Sequence, residues 1–387
     1  MSLFQPSLQS SLVSLPNELV DAIISCLSLP PPSLAKLHQP PSSRITTSTS
    51  RDLKNLSRTS SRIRELVLPR LFAHACFKIQ EVPGFLAFVA QRKLSRHVVS
   101  IVAKGVDPLD EQENRYWWRP VLDCLNPLRL TVLASPPLIA AMLDTRIVDE
   151  HSWAFEVPFQ ILQLEQTAQL QAPSVSPAAA TGLAGGLLRT RAWSSLAFNE
   201  SSALRAYNHY EYFLFQFPSI FHRWGCFAYL QPLPEEISPS LSLTSLTSFR
   251  YTAVFPFYNH VKLVLDTVGF MTNLRSFSVQ LAPGQDDKTT ELEQRGSLDP
   301  SDPWMEIATG YSLIAHAVRD LGNKAQLVKF STRDFDFDAL RPELSAILRD
   351  VLENCKWVHS GHGTWIREPV EKNNSGPTAE QPSLTPA

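Results

Sequence analysis

Leu19, Ile23 and Leu27 recur at a spacing of four, with Val20 and Ile24 beside them, inside the segment Leu15-Pro16-Asn17-Glu18-Leu19-Val20-Asp21-Ala22-Ile23-Ile24-Ser25-Cys26-Leu27. An apolar stripe that wide on a short helix must be buried against something. Pro16 suits a helix's first turn, where a missing N–H costs nothing, and Glu18 and Asp21 follow early enough to favour the positive end of the dipole. The segment predicts a small docking helix facing a partner.

The pattern stops at Leu29-Pro30-Pro31-Pro32 and passes through Pro40-Pro41-Ser42-Ser43 to Thr46-Thr47-Ser48-Thr49-Ser50. With little there to bury, residues 30–50 are expected to form a mobile, disordered loop. Order resumes at Asp52, an N-cap by residue type, with Leu53 and Leu56 three apart and then Ile63, Leu66 and Val67. Two short helices are predicted, with capping hydroxyls in the run 57–61 between them and Pro69 closing the second. Residues 12–72 thus read as a three-helix unit.

A second domain is expected over 73–370. Val82-Pro83-Gly84-Phe85 opens a helix, 97–102 and 128–133 read as short buried strands, and Pro136-Pro137 heads another helix. Residues 171–186 and the acidic stretch 283–303 read as loops, and 371–387 as a disordered tail. The aromatics Tyr207, Tyr210, Tyr212, Phe213, Phe215, Phe217, Phe221 and Trp224 read as core. Leu246-Thr247-Ser248-Phe249-Arg250-Tyr251 matches Leu274-Arg275-Ser276-Phe277-Ser278-Val279 at an offset of 28 residues. Leucine-rich repeats run about 20–29 residues, one strand and one return segment each. A return helix is expected between the copies, a helix over 311–321, and a later strand at Leu327-Val328-Lys329-Phe330-Ser331. The expected fold class is α+β or α/β, three helices followed by an irregular, repeat-like strand/helix domain.

Composition narrows the function classes. A 44% hydrophobic content supports a core, and a formal charge of −2 over 387 residues gives no global pull toward nucleic acid or an anionic membrane. Nucleic-acid and membrane partners are therefore not expected. Five scattered cysteines, Cys26, Cys76, Cys124, Cys226 and Cys355, without a C-x-x-C pair, fit a reduced intracellular compartment, the cytoplasm and/or nucleus. Residues 1–14 carry Gln5, Pro6, Gln9 and serines where a secretory leader has a basic and then an apolar region, and no window approaches the roughly 20 apolar residues of a membrane span.

Chemistry-bearing motifs are missing. There is no G-x-S-x-G elbow, phosphate loop, G-x-G-x-x-G fingerprint or H-E-x-x-H helix, so neither catalysis nor a cofactor is expected. His359 and His362, with Cys355 nearby, do not assemble four ligands of sensible spacing, and no metal is expected. Asp334, Asp336 and Asp338 alternate with Phe335 and Phe337 and read as a strand edge with a solvated acidic face. Arg51, Lys54, Arg58, Arg62, Arg64 and Arg70 read as the solvated faces of the second and third helices.

The N-terminal unit resembles an F-box. Leu15, Pro16, Glu18, Leu19, Ile23 and Leu27 occupy the positions of that family's Leu-Pro, acidic-leucine, isoleucine and leucine steps. Residues 52–67 resemble its remaining helices, and Leu68-Pro69-Arg70-Leu71-Phe72 its exit. The insertion between the halves is tolerable because each doubling of loop length costs only about 0.6 kcal/mol. Thr59 stands where the family usually has valine and Ile63 where it often has an aromatic, which makes the partner-facing surface smaller. The insert-rich style also resembles F-box proteins of filamentous fungi.

The resemblance implies a non-enzymatic substrate receptor of an SCF-type cullin–RING ubiquitin ligase. It implies that Leu15, Pro16, Glu18, Leu19, Ile23, Leu27, Leu53, Leu56 and Ile63 bind a Skp-type adaptor, which links to the cullin scaffold. The C-terminal domain would hold a target protein for ubiquitination. A different reading keeps the same residues inside the chain as a scaffold, and a third looks for an enzyme around His222 or His359.

Overall fold

Side chains on ten paired strands fall into continuous rows, and those rows determine which face of the sheet the helices cover. The computed structural model describes residues 12–368 except 29, 47–49, 106–114, 148–156, 168–184, 209–216, 227–242, 285–286, 289, 291–298, 300 and 325–326. The strands are β1 (His74–Lys78), β2 (Ser100–Lys104), β3 (Arg129–Ala134), β4 (Gln160–Glu165), β5 (Ser195–Ser202), β6 (Ser248–Val254), β7 (Ser276–Gln280), β8 (Lys329–Thr332), β9 (Trp357–Gly361) and β10 (Thr364–Arg367). They form one sheet in the order β1-β2-β3-β4-β5-β6-β7-β8-β10-β9. β1–β3 and β5–β8 run the same way, β4 is antiparallel to both neighbours, and the β9–β10 hairpin closes one edge.

Pairing places Ala75, Ile101, Leu130, Leu164, Leu196, Phe249, Phe277, Phe330 and Trp365 in one row from β1 to β10, all buried. Helices α5 (Val82–Gln91), α6 (Trp118–Cys124), α7 (Pro136–Met142), α8 (Phe221–Cys226), α9 (Tyr258–Val268), α10 (Asp302–Lys324) and α11 (Arg341–Leu352) pack on this inner face. They do so through helical stripes such as Ile307, Tyr311, Ile314 and Val318, or Leu344, Leu348 and Leu352. The two sequence copies 28 residues apart are neighbours in space, with Ser248 beside Ser276 and the rings of Phe249 and Phe277 stacked at 5.7 Å.

The outer face carries the alternate rows. It is polar along much of its length, where Arg129 donates to Glu165 (2.7 Å) and Gln163 joins Glu165 (2.6 Å) to Thr131 (2.8 Å). Val102, Leu133, Ile161 and Ala197 make an apolar patch on it.

Of the helices that precede β1, three pack together: α1 (Asn17–Cys26), α3 (Arg51–Leu56) and α4 (Ser61–Phe72). They share a small core of Val20, Ile24, Leu53, Ile63 and Val67, separate from the sheet's core. Ser60 caps α4 by accepting from the Ile63 N–H (3.2 Å). Arg62 fastens α4 to the start of α1, donating to the Leu15 carbonyl (2.7 Å) and to Asn17 Oδ1 (2.6 Å).

Several expectations need correction. The described part of the expected loop 30–50 is not structureless, residues 47–49 lying outside the described residues: α2 (Pro32–Lys36) and a 3₁₀ turn over Ser43–Thr46 lie on the outer sheet face, because Leu37 and Ile45 do have something to bury, the patch just described. Pro69 does not end α4, which continues to Phe72 as Leu68 and Phe72 join the sheet's core and Phe72 meets Phe88 (5.2 Å). α3 starts at Arg51, with Asp52 in its first turn. The helix expected over 311–321 runs from Asp302 to Lys324, taking in the end of the acidic stretch. Asp334 is buried in a 3₁₀ turn, Arg333–Asp336, and is not on a solvated edge. Residues 168–184, Tyr210, Tyr212, Phe213, Phe215 and the tail 371–387 lie outside the described residues.

Phe277 is buried in the inner row between Phe249 and Phe330. Phe277→Ala is expected to cost about 3–5 kcal/mol in urea unfolding, whereas Ser278→Ala, one residue along on the outer face, should stay within about 0.5 kcal/mol.

Candidate docking helix and buried polar clusters

α1 is apolar on two sides. Val20 and Ile24 point into the three-helix core, whereas Leu19 and Ile23, each one residue earlier, are 53% and 38% exposed. Leu15, Leu27 and Leu56 are half-buried against the same core, and Pro16 and Glu18 are exposed. Leu53 and Ile63 are buried inside the unit, where they support α1 without reaching its outer surface. Of the residues singled out for adaptor binding, Leu19 and Ile23 are therefore the apolar pair presented to solvent on α1. Arg62 and Arg70, from the basic set, are engaged with the α1 side: Arg62 as described, Arg70 facing Asp21 at 3.4 Å.

A second cluster lies under the C-terminal end of β5. Glu200 is fully buried and accepts from Ser219 Oγ, from Tyr251 Oη and, at 2.7 Å, from His260 Nε2. Burial pushes the Glu200 carboxyl up, but His260 beside it and the hydrogen bonds from His260, Ser219 and Tyr251 outweigh that and hold it below the ordinary carboxylate range. Burial, and then the charge of its Glu200 partner, push the Tyr251 phenol well up. His222 lies 5.4 Å from His260, ring to ring, and burial followed by the nearby His260 brings it down to about 4.

These residues are the acid–base types an active site uses. The space between Glu200, Ala203, Phe217, Phe257 and His260 is nevertheless too small for one water molecule. What the cluster does is tie β5, β6, α9 and the turn that leads into α8 together through one carboxylate.

A third buried group, Asp334, accepts from Tyr311 Oη (2.5 Å) and from the N–H groups of Leu281 (2.7 Å) and Ala282 (3.2 Å) beyond β7. Burial raises its carboxyl to about 6 against those hydrogen bonds. Among the described residues no group of three or more His, Cys, Asp or Glu side chains converges as a metal site. No described helix is long and apolar enough to cross a membrane.

Sequence reasoning found α1 and missed the Glu200 cluster. The available signal was a strand, Ser195–Ser202, that places Asn199 and Glu200 amid apolar neighbours. Comparison with known proteins adds nothing to the geometry: no family model, no curated protein and no solved structure matches this chain.

His222 supplies a pH dependence with a definite sign. Its folded-state pKa lies below the unfolded value of 6.5, so it contributes stability above pH 6.5 that is lost as the pH falls toward about 4. Asp334, raised to about 6, works in the opposite sense over the same range, so a single-residue difference is the useful quantity. His222→Gln should lose less stability than the parent chain between pH 6.5 and 4.5, by on the order of 2 kcal/mol, measured by urea titration at both pH values.

Proposed function

We propose that this chain is the substrate-recognition subunit of an SCF-type cullin–RING ubiquitin ligase. Its three-helix unit is read as an F-box that docks a Skp-type adaptor, and the sheet-and-helix unit behind it as the holder of a target protein. The observation that carries this reading is the outward face of α1, where Leu19 and Ile23 stand exposed while Val20 and Ile24 already fill the unit's own core. A helix needs one apolar side to fold against its neighbours, and a second is a cost unless a partner covers it.

The repeat-like reading of the second unit draws support from strand order. From β1 to β8 each strand lies beside its predecessor, and β6 and β7 pair in register at the 28-residue offset of the matching segments. The reversed β4 and the closing hairpin make any such repeat a degenerate one.

In this role the chain performs no bond chemistry. Holding a target close to a charged conjugating enzyme makes lysine attack effectively intramolecular. The reading places the protein inside the cell, in the cytoplasm and/or nucleus.

The competing reading is a scaffold whose helices serve only internal packing. Leu53 and Ile63 do pack internally, but the solvent exposure of Leu19 and Ile23 is not explained by it.

Ile23→Asp separates the two. The receptor reading expects the parent chain to co-purify with a Skp-type adaptor and the variant to lose at least about tenfold in affinity with unchanged circular dichroism and melting temperature. A parent chain that captures no adaptor, together with a variant that unfolds, would establish the scaffold.

A further inference from the structure

The insertion between α1 and α3 lies on the outer sheet face as a peptide ligand lies on a receptor. Lys36 Nζ donates to the Arg44 carbonyl (2.9 Å) and clips the segment into a loop whose two apolar side chains, Leu37 and Ile45, fill the patch of Val102, Leu133, Ile161 and Ala197. Next to the first anchor, three consecutive carbonyls are taken by buried side-chain amides. Asn199 Nδ2 donates to the carbonyls of Leu37 (2.6 Å) and Gln39 (2.9 Å), and Gln280 Nε2 to that of His38 (3.4 Å). Asn199 is held in place for this by accepting from the Ser201 N–H (2.9 Å), and Gln280 by donating also to the Ala282 carbonyl (3.1 Å).

The three carbonyls belong to the turn that ends α2, where Leu37 keeps helical backbone angles, so the amides recognise a helix end and its turn, and selectivity is left to the side chains. At position 38 the surroundings are cationic. Burial, then the charges of Arg333 and Arg250, bring the His38 imidazole down to about 4, so the chain sets a neutral ring where a carboxylate would be favoured. Arg250 and Arg333 are both exposed, Arg250 beside Ala197 in the outer row and Arg333 at the turn that follows β8.

We propose that the outer-face groove floored by Ile161 and Ala197 and headed by Asn199 and Gln280 is a peptide-binding site. Its external ligand is an acidic peptide that forms the same helix-ending turn, an apolar anchor followed by a carboxylate residue, and residues 31–46 of this chain are its resident occupant. The occupant is tethered at both ends, and short tethers give effective concentrations of order millimolar. A weak external peptide is thereby excluded, and one that gains from Arg250 and Arg333 competes. The proposal rests on the sheet face alone and is independent of adaptor binding by α1.

The test opens the groove in two ways and supplies the segment in trans. One protein is the full chain carrying Leu37→Ser and Ile45→Ser; the other has residues 31–46 replaced by a Gly-Ser linker of equal length. Fluorescein-labelled peptide 31–46, and the same peptide with His38→Glu, are titrated by anisotropy at low and high salt.

The parent chain should bind neither peptide, and both opened proteins should bind both. The His38→Glu peptide should bind about three- to fivefold tighter at low salt, with the gain lost on adding Arg250→Ala and shrinking at high salt. Opened proteins that keep their circular dichroism and bind no peptide overturn the proposal. So does equal affinity for the two peptides, which removes the acidic ligand class. Loss of folding in both opened proteins overturns it too, because the segment is then part of the core.

Discussion

The burial of one face of one sheet is what the rest of the structure depends on. Its inner face is an unbroken apolar row from Ala75 to Trp365, and every helix from α5 onward packs on it. A row of that kind forbids register slips, because moving any strand by one residue would exchange its apolar side chains for the polar outer set. With the inner face fixed in this way, the outer face is free to be polar, small and selective. The segment 31–46 uses that freedom, sitting where four apolar residues interrupt an otherwise hydrophilic surface.

The three-helix unit has a small core of its own and meets the sheet's core only through the end of α4. α4 leads into β1 with one residue between them, so the position of α1 is transmitted to the sheet through Leu68 and Phe72 while Val20, Ile24, Ile63 and Val67 hold the helices to one another. That separation keeps the packing of the three helices distinct from that of the sheet. Its cost is a small core, reinforced by the Ser60 cap and by Arg62 reaching to Leu15 and Asn17.

The amino-acid sequence revealed periodic elements and concealed those stabilised by distant single residues. α1, α3 and α4 follow from leucine and isoleucine spacing, and β6 and β7 from their 28-residue echo. The segment over 30–50 looked structureless because proline and serine dominate it and because the groups that hold it, Asn199 and Gln280, are more than 150 residues away. Glu200 was hidden for the same reason: its partners Ser219, Tyr251 and His260 come from separate elements, and no local spacing announces them. Asp334 misled because alternation with phenylalanine mimics a half-exposed strand, when in fact its carboxylate closes the backbone beyond β7. Of the candidate docking residues, the sequence marked the helix but did not distinguish its two sides, since Leu19 and Val20 are equally apolar and only packing tells them apart.

The central claim is that the outward side of α1 is an interface. Hydrogen–deuterium exchange on the intact chain, alone and with a purified Skp-type adaptor, reads this directly. Slowed exchange concentrated in Asn17–Cys26, with the strands β5–β8 unchanged, is the result the account predicts. Complex-free mixtures with identical exchange at α1, or protection confined to the sheet, would contradict it.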